Sequence, residues 1–371
     1  MNDSMPDLSD TNPDAAYETE GRVESIADSN FRADVPWASV GTSIPPNASV
    51  TNVLRLAKLD WNVIKAPSQL VVEEFVDGEE TTRILENKGC YGLVRDSDHS
   101  ILSPSVGKTY KPVQNRDALR VFRDFVDTGN MTLETAGSLC GGRHVWGLAK
   151  FGDDFELEGG EKISGNMLLL QSHRYGVALR VLFTPVRYPG GLTMVRPINV
   201  RNKMKTTYRM QHSRVFSEAR VREIHELMDV ARGAFSDFCE KALFMSQQKI
   251  TEEAAVRYLM RTIDPNGLAK KEQTGDDIPT SVSELIGDKN MARMVRKVAE
   301  SYDNYHGSNG PACKGTAWGM YNMIASYMDH ESGRNVNTRL ESVWLGPKAA
   351  LKQEAFTGAY LTATSEGTPR K

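Results

Sequence analysis

The sequence predicts an α+β chain: a mostly antiparallel sheet with a packed helix, then a helical C-terminal region, behind an acidic N-terminal arm. Three observations lead there. Between residues 131 and 184, apolar side chains fall in runs and alternations of strand period, broken by turn residues. From Val221 onward they recur at three- and four-residue spacing, the period of amphipathic helices. The first 48 residues hold nine acids (Asp3, Asp7, Asp10, Asp14, Glu18, Glu20, Glu24, Asp28, Asp34) against two bases, Arg22 and Arg32. Three units follow: an arm over residues 1–48, an α+β core over 49–215 and a helical region over 216–371.

The arm is too poor in apolar residues to offset the entropy of ordering and is expected to be mobile. It reads as a solubilising tail, or as a competitor for the basic stretch described below. Trp37 and the Ile44-Pro45-Pro46 corner are expected to dock its end. Val53-Leu54-Arg55-Leu56-Ala57 reads as a short helix. Trp61, Val63, Leu70, Val72 and Phe75 suggest two strands with a turn at Ala66-Pro67-Ser68, and residues 81–85 and 90–95 suggest two more. Asp96-Ser97-Asp98-His99 is the polar turn after them. Asn115 is expected to cap a helix that buries Ala118, Leu119, Val121, Phe122, Phe125 and Val126 and stops at Gly129.

Residues 131–137, 143–151, 163–172 and 177–184 then read as longer strands, with the continuous apolar run Met167-Leu168-Leu169-Leu170 central in the sheet. Alternation along 177–184 places Arg180 on an open face. The stripe Val221, Ile224, Leu227, Met228, Ala231, Phe235 and Phe238 marks a helix packed in a core or a subunit interface. Thr251 caps a second helix that ends at Asp264-Pro265, and residues 270–280 read as a polar loop. Ser281-Val282-Ser283-Glu284 matches a capping box and opens a helix over 285–302. Residues 306–311 are glycine-rich. Thr316 begins another helix, and Pro347 opens the last, through Leu361.

Composition bounds the function. Apolar residues make up 40% of the 371 residues, enough for a sizeable core, and the net charge is −3. The four cysteines (Cys90, Cys140, Cys239, Cys313) form no CxxC pair and have no histidine at finger spacing, so no zinc site of the common kinds is expected. Sparse cysteine fits a reducing cytoplasm. The opening residues are acidic and polar, unlike a signal peptide, and no apolar run approaches the ~20 residues of a membrane helix. A soluble cytoplasmic protein without a membrane partner is expected.

Against this balanced background, residues 162–217 hold ten bases and no acid: Lys162, Arg174, Arg180, Arg187, Arg196, Arg201, Lys203, Lys205, Arg209 and Arg214. Such segregation suits a polyanion, and arginine suits forked contact with phosphate. Tyrosines interleave: Tyr175 beside Arg174, Tyr188 beside Arg187, Tyr208 beside Arg209. Cations for the backbone and flat rings for the bases are what a single-strand groove needs. The candidate nucleic-acid-binding set is therefore Arg174, Arg180, Arg187, Tyr188, Arg196, Arg201, Lys203, Lys205, Tyr208, Arg209 and Arg214. The bland alternative is a solvated face whose acidic partners come from elsewhere in the fold.

Other motifs carry less. Gly107-Lys108-Thr109 resembles the end of a phosphate loop, but the required earlier glycine is Leu102. Gly137 to Gly147 lacks dinucleotide spacing and reads as a tight turn into a strand, with Arg143 at that turn extending the basic face. The carboxylate groups at Asp96, Asp98 and His99, and at Asp329, His330 and Glu331, sit at expected turns or helix ends, where such residues are ordinary. No metal, cofactor or catalytic residue is assigned.

Several segments together resemble the phage/plasmid-like protein family, domain-of-unknown-function family 932. They are Leu59-Asp60-Trp61, Tyr110-Lys111-Pro112-Val113-Gln114-Asn115, Ala136-Gly137-Ser138-Leu139, Gly141-Gly142-Arg143, Phe183-Thr184-Pro185-Val186-Arg187, Thr316-Ala317-Trp318-Gly319-Met320-Tyr321-Asn322 through Asp329-His330, Thr338-Arg339-Leu340-Glu341-Ser342-Val343-Trp344-Leu345-Gly346, and Ala349 to Phe356. The likeness spans about residues 53–363. It departs from the family pattern at His173-Arg174-Tyr175-Gly176, where the family often has His-Asp-Gly, and at Tyr188-Pro189-Gly190-Gly191. The resemblance implies a protein of a phage, prophage or plasmid in a bacterial host cell. The strand–helix order is similar to that of phage single-strand annealing proteins, a likeness of fold alone.

The expected function is a nonenzymatic single-stranded DNA- or RNA-binding protein of a bacteriophage or other mobile element. It would promote strand annealing and DNA recombination, as a homo-oligomer by analogy. The alternatives are a metal-dependent nuclease or other nucleic-acid hydrolase, and a structural or partner-binding phage protein.

Overall fold

The computed structural model describes residues 35–76, 78–177, 179–188, 190–193, 207–210, 218–304 and 310–366. In chain order, β1 (Gly41–Ser43) and α1 (Val50–Leu56) precede three strands, β2 (Val63–Val76), β3 (Glu79–Arg95) and β4 (Ile101–Gly107). Helix α2 (Asn115–Thr128) leads into β5 (Met131–Leu139), β6 (His144–Leu157), β7 (Glu161–Ser172) and β8 (Leu179–Tyr188). Two short strands, β9 (Leu192–Thr193) and β10 (Thr207–Met210), follow. All pairings are antiparallel, in the order β1-β5-β6-β7-β8-β10, with β9 also on the outer edge of β8. The α+β class read from the sequence is the class observed.

Side-chain alternation divides this sheet between two cores. Val145, Ala149, Met167, Leu169, Val181 and Phe183 face α2, which buries Ala118, Leu119, Phe122 and Phe125 against them. Trp146, Leu148, Leu168, Leu170, Leu182 and Val186 face the helical region. Each fully buried side chain of this size contributes about 1.5–3 kcal/mol, so covering both faces is strongly favoured. This overturns the open face expected for Arg180. That face is covered by helices, and Arg180 is half-buried.

The acidic-arm reading covered residues 1–48. Residues 1–34 lie outside the described set, whereas 35–48 pack: Val35, Trp37 and Ile44 are buried, and β1 pairs with β5. The approach is close enough that a Cβ at Gly137 would lie 2.1 Å from the Val40 carbonyl oxygen.

Strands β2 and β3 form one long hairpin. No turn forms at Ala66-Pro67-Ser68; Pro67 sits at a register shift of an edge strand, where its missing N–H costs no ladder bond. The two short strands expected over 81–85 and 90–95 are a single strand, β3. Strand β4, which the sequence reading lacked, pairs only with the base of the hairpin, from Cys90 to Val94. Beyond it the ribbon is two-stranded, with Val71 opposite Ile84 and Leu70 opposite Leu85.

In α2 the N-cap position is Gln114, not Asn115. Asn115 is buried, and its amide nitrogen donates to the Leu59 carbonyl at 3.0 Å.

The C-terminal region is helical: α3 (Glu218–Gln247), α4 (Glu252–Ile263), α5 (Pro265–Thr274), α6 (Val282–Gly287), α7 (Arg293–Glu300), α8 (Ala317–Ser326), α9 (Val336–Leu345) and α10 (Pro347–Glu366). Thr251, Ser281 and Thr316 cap α4, α6 and α8 through their hydroxyl oxygens. The polar loop expected over 270–280 begins as helix. Asp264 caps α5 by accepting from Gly267 N–H at 3.0 Å, with Pro265 in the first turn. The single helix expected over 285–302 is two, broken after Gly287. A π-helical turn, Tyr327–Glu331, continues α8. Among the described residues, no helix is long and apolar enough to cross a membrane.

Candidate functional site

Four pieces of the chain, far apart in sequence, meet at one end of the large sheet. They are the β5–β6 turn, the β7–β8 turn, the base of the hairpin and α9. The β5–β6 turn is tight: Cys140, Gly141 and Gly142 have φ of 53°, 63° and 88°. Glycine takes this left-handed region freely, but a cysteine there costs about 1–2 kcal/mol. A Cβ at Gly142 would lie 2.5 Å from Arg95 Nη2 and 2.9 Å from the Trp61 ring. That space is taken because the Arg95 guanidinium lies over Trp61, 4.7 Å from the ring centroid, and donates to the Gly141 carbonyl.

The turn is clamped from α9. Asn337 Oδ1 accepts from Cys140 N–H at 2.8 Å. Four residues on, Glu341 gathers three groups. Arg174 Nη1 donates to Oε1 at 2.5 Å, His144 Nε2 lies 3.2 Å from the same oxygen, and the Cys140 thiol donates to Oε2 at 3.7 Å. The His144 hydrogen bond, helped by the Arg174 charge and the thiol, holds the Glu341 carboxyl down to about 2 against the opposing effect of burial. The donor atoms of Cys140, His144 and Glu341 all lie within 4.8 Å of one another. The sequence shows no zinc pattern because Glu341 stands 197 residues from His144. The visible trace was a cysteine and a histidine bracketing Gly141-Gly142.

Beside this cluster lies His173, buried, with its ring 5.5 Å from Trp61 and its Nε2 3.0 Å from Asn115 Oδ1. It pins the start of the β7–β8 turn and leaves Arg174 and Tyr175 outward. Tyr175 is 69% exposed, and its ring centroid lies 6.4 Å from that of Tyr110. The loop carrying Tyr110 is tied down by Lys65, whose ammonium donates to the carbonyls of Gly107, Lys108 and Tyr110 at 3.0, 2.6 and 3.0 Å. Lys108 and Lys111, flanking Tyr110, are exposed, and Arg143 is half-buried in its turn.

The sequence-predicted cations do not all gather here. Arg187 is inside the protein, 3% exposed, with Nε and Nη2 bonded to the two oxygens of Glu161 at 2.7 and 2.9 Å. Its charge is matched internally, which removes it as a strand contact. Tyr188 packs half-buried against the helical-side core. Arg174 keeps half its surface but shares Glu341. Lys162 is exposed on β7. Arg196, Arg201, Lys203, Lys205 and Arg214 lie outside the described residues. For Tyr208 and Arg209 the backbone is described as part of β10, the side chains are not.

The two carboxylate groups weighed from sequence have local work. Asp96 accepts from Asn62 N–H and Nδ2, both at 2.8 Å, and Asp98 pairs with Arg95 at 3.1 Å. Asp329 is buried against Lys352 Nζ at 2.6 and 2.8 Å and accepts from Thr193 N–H at 2.9 Å. His330 Nε2 lies 2.8 Å from the Gly190 carbonyl oxygen.

Fold and site together define an α+β protein whose two-faced antiparallel sheet carries a protruding hairpin and a polar, aromatic-edged end. The family described as Domain of unknown function (DUF932) matches residues 103–344, and the chain belongs to that family. No curated protein and no solved structure shows significant similarity to it.

Proposed function

We propose that the chain binds single-stranded nucleic acid, as a DNA-binding, strand-annealing protein of a phage or other mobile element acting in the host cytoplasm. The observation that carries the reading is the pair Tyr110 and Tyr175, with Tyr175 exposed at the turn tip beside Arg174. Lys108 and Lys111 flank Tyr110 in the chain. Flat rings among cations suit unstacked bases on a flexible backbone. The run from Lys162 to Ser217 without an acid supplies the remaining charge, chiefly Arg196, Arg201, Lys203, Lys205 and Arg209. Base stacking and backbone neutralisation are then separable.

Filter binding of single- and double-stranded oligonucleotides, DNA and RNA, at graded salt tests this. Neutralising about five phosphates gives a slope of log K against log salt of about −3.5 on single strands. Arg201→Ala, Lys203→Ala and Lys205→Ala together should flatten that slope by roughly 2. Tyr175→Ala should lower affinity by about 1–3 kcal/mol with the slope unchanged. Absence of strand binding, or the same slope in the triple variant, overturns the reading.

Self-association of this binding protein belongs to the same proposal, with a second copy covering the hairpin. Beyond β4 the ribbon exposes Phe75 (77%), Val71 (63%) and Ile84 (62%) on one face and Leu70 and Leu85 on the other. A bare two-stranded ribbon is marginal in water. Residues 69–88 carry six acids (Glu73, Glu74, Asp77, Glu79, Glu80, Glu86) against Arg83 and Lys88, the opposite balance to residues 162–217 of a neighbouring copy.

A further inference from the structure

We infer that Cys140, His144 and Glu341 form a binding site for a zinc ion. The three side chains come from a β-turn, the strand after it and a distant helix, yet their donor atoms lie within 4.8 Å of one another. A tetrahedral ion with bonds of about 2.3 Å to sulfur and about 2.1 Å to nitrogen or oxygen sets its ligands roughly 3.6 Å (S···O) and roughly 3.4 Å (N···O) apart. The Cys140 sulfur lies 3.7 Å from Glu341 Oε2, near the S···O value, and His144 Nε2 lies 3.2 Å from Oε1, the other oxygen of the same carboxylate. With one donor atom taken from each residue the three lie within 4.8 Å of one another, so an ion would draw them together by roughly 1 Å.

The framework around the three donors is already fixed. His144 is 2% exposed and held in β6, the Cys140 backbone is clamped by Asn337, and Glu341 sits in mid-helix. The cysteine also holds a left-handed backbone position between Leu139 and two glycines, where a third glycine would be unstrained. A strained residue retained at a converging cluster points to its side chain as the reason.

One thiolate, one imidazole and one carboxylate make a borderline-soft set that favours zinc over magnesium or calcium. Three protein ligands leave a fourth position for water or another donor. Loading releases the thiol proton to solvent, and His144 would bind through Nε2 as the neutral imidazole with its ring proton on Nδ1. Arg174 competes, since its guanidinium already occupies Glu341 Oε1. Zinc would turn that arginine away from the carboxylate. The inference stands apart from the nucleic-acid reading, because none of its three ligands is a strand contact of that reading and its measurement is a different one.

The test uses the reduced full-length protein, stripped of metal. Zinc is titrated against a chromophoric chelator, and thiol alkylation is followed residue by residue by mass spectrometry. Cys90, half-buried on the hairpin, is the internal control. One equivalent of zinc is expected to bind and to slow alkylation of Cys140 by tenfold or more without changing Cys90, with magnesium having no effect. Cys140→Ser should weaken zinc by at least the roughly 10–100-fold typical of losing even an outer partner of a ligand. Arg174→Ala should tighten it. Failure to take up zinc at micromolar concentration, uptake that Cys140→Ser leaves unaltered, or unprotected alkylation of Cys140 overturns the site.

Discussion

Glu161 on β7 grips Arg187 on β8 through two parallel hydrogen bonds, 2.7 Å to Nε and 2.9 Å to Nη2, with both side chains almost fully buried. The same carboxylate accepts from the Trp318 indole at 2.5 Å and the Cys313 thiol at 3.1 Å. One acid on the sheet therefore satisfies an arginine of the next strand and two donors from the helical region.

Removing one partner of such a pair leaves a buried charge unmatched. Arg187→Met is expected to destabilise the protein by about 3–5 kcal/mol in urea denaturation. The double change Arg187→Met with Glu161→Leu should recover much of that loss. A single-variant cost under about 1 kcal/mol, the range of exposed pairs, would mean that the guanidinium faces water, and Arg187 would return as a candidate strand contact.

Lys352 and Asp329 form a second buried pair, joining α10 to the π-helical turn, while Thr193 ties β9 to the same carboxylate. Burial pushes the Lys352 ammonium below the usual lysine range, opposed by the attraction of Asp329. Asp329→Asn should therefore lower stability by about 3–5 kcal/mol. Any loss of an activity in that variant has to be read against the folded fraction, measured by circular dichroism on the same sample. Unchanged stability would show that the carboxylate is not committed to the fold.

The hairpin predicts concentration-dependent assembly. Phe75→Ser with Ile84→Ser, on one face of the ribbon and 77% and 62% exposed, should shift the protein toward monomer by light scattering after gel filtration. The same variant should melt close to the parent monomer, because both side chains are mostly exposed within their own chain. A parent protein that is monomeric at all concentrations would remove the self-association proposal and leave strand binding untouched.

Most of the large sheet was legible because its residues alternate between two apolar faces, as along Leu179, Val181 and Phe183 against Leu182 and Val186. The hairpin was misread for the converse reason. Its apolar residues occupy both faces of a solvated ribbon, so no buried periodicity marks it, and Pro67 imitates a turn. Charge counting located a basic stretch but could not see that Glu161, one residue before it, folds onto Arg187 twenty-six positions later. Glu341, 197 residues from His144, was beyond the local spacing of Cys140 and His144. Only the family likeness, carried by Trp61, Asn115, Gly142 and Glu341 among others, held residues of both ends of that site.

Helix α3 changes sides. Leu227, Met228 and Ala231 near its start pack with α2, while Phe238, Ala242 and Met245 further on pack among the C-terminal helices. A cut in the chain just ahead of Glu218 would thus bare the face under the C-terminal helices and also take α3 out of the core that α2 covers. Neither fragment would keep a complete interior, and the intact protein should melt in one step instead of shedding its helical half first.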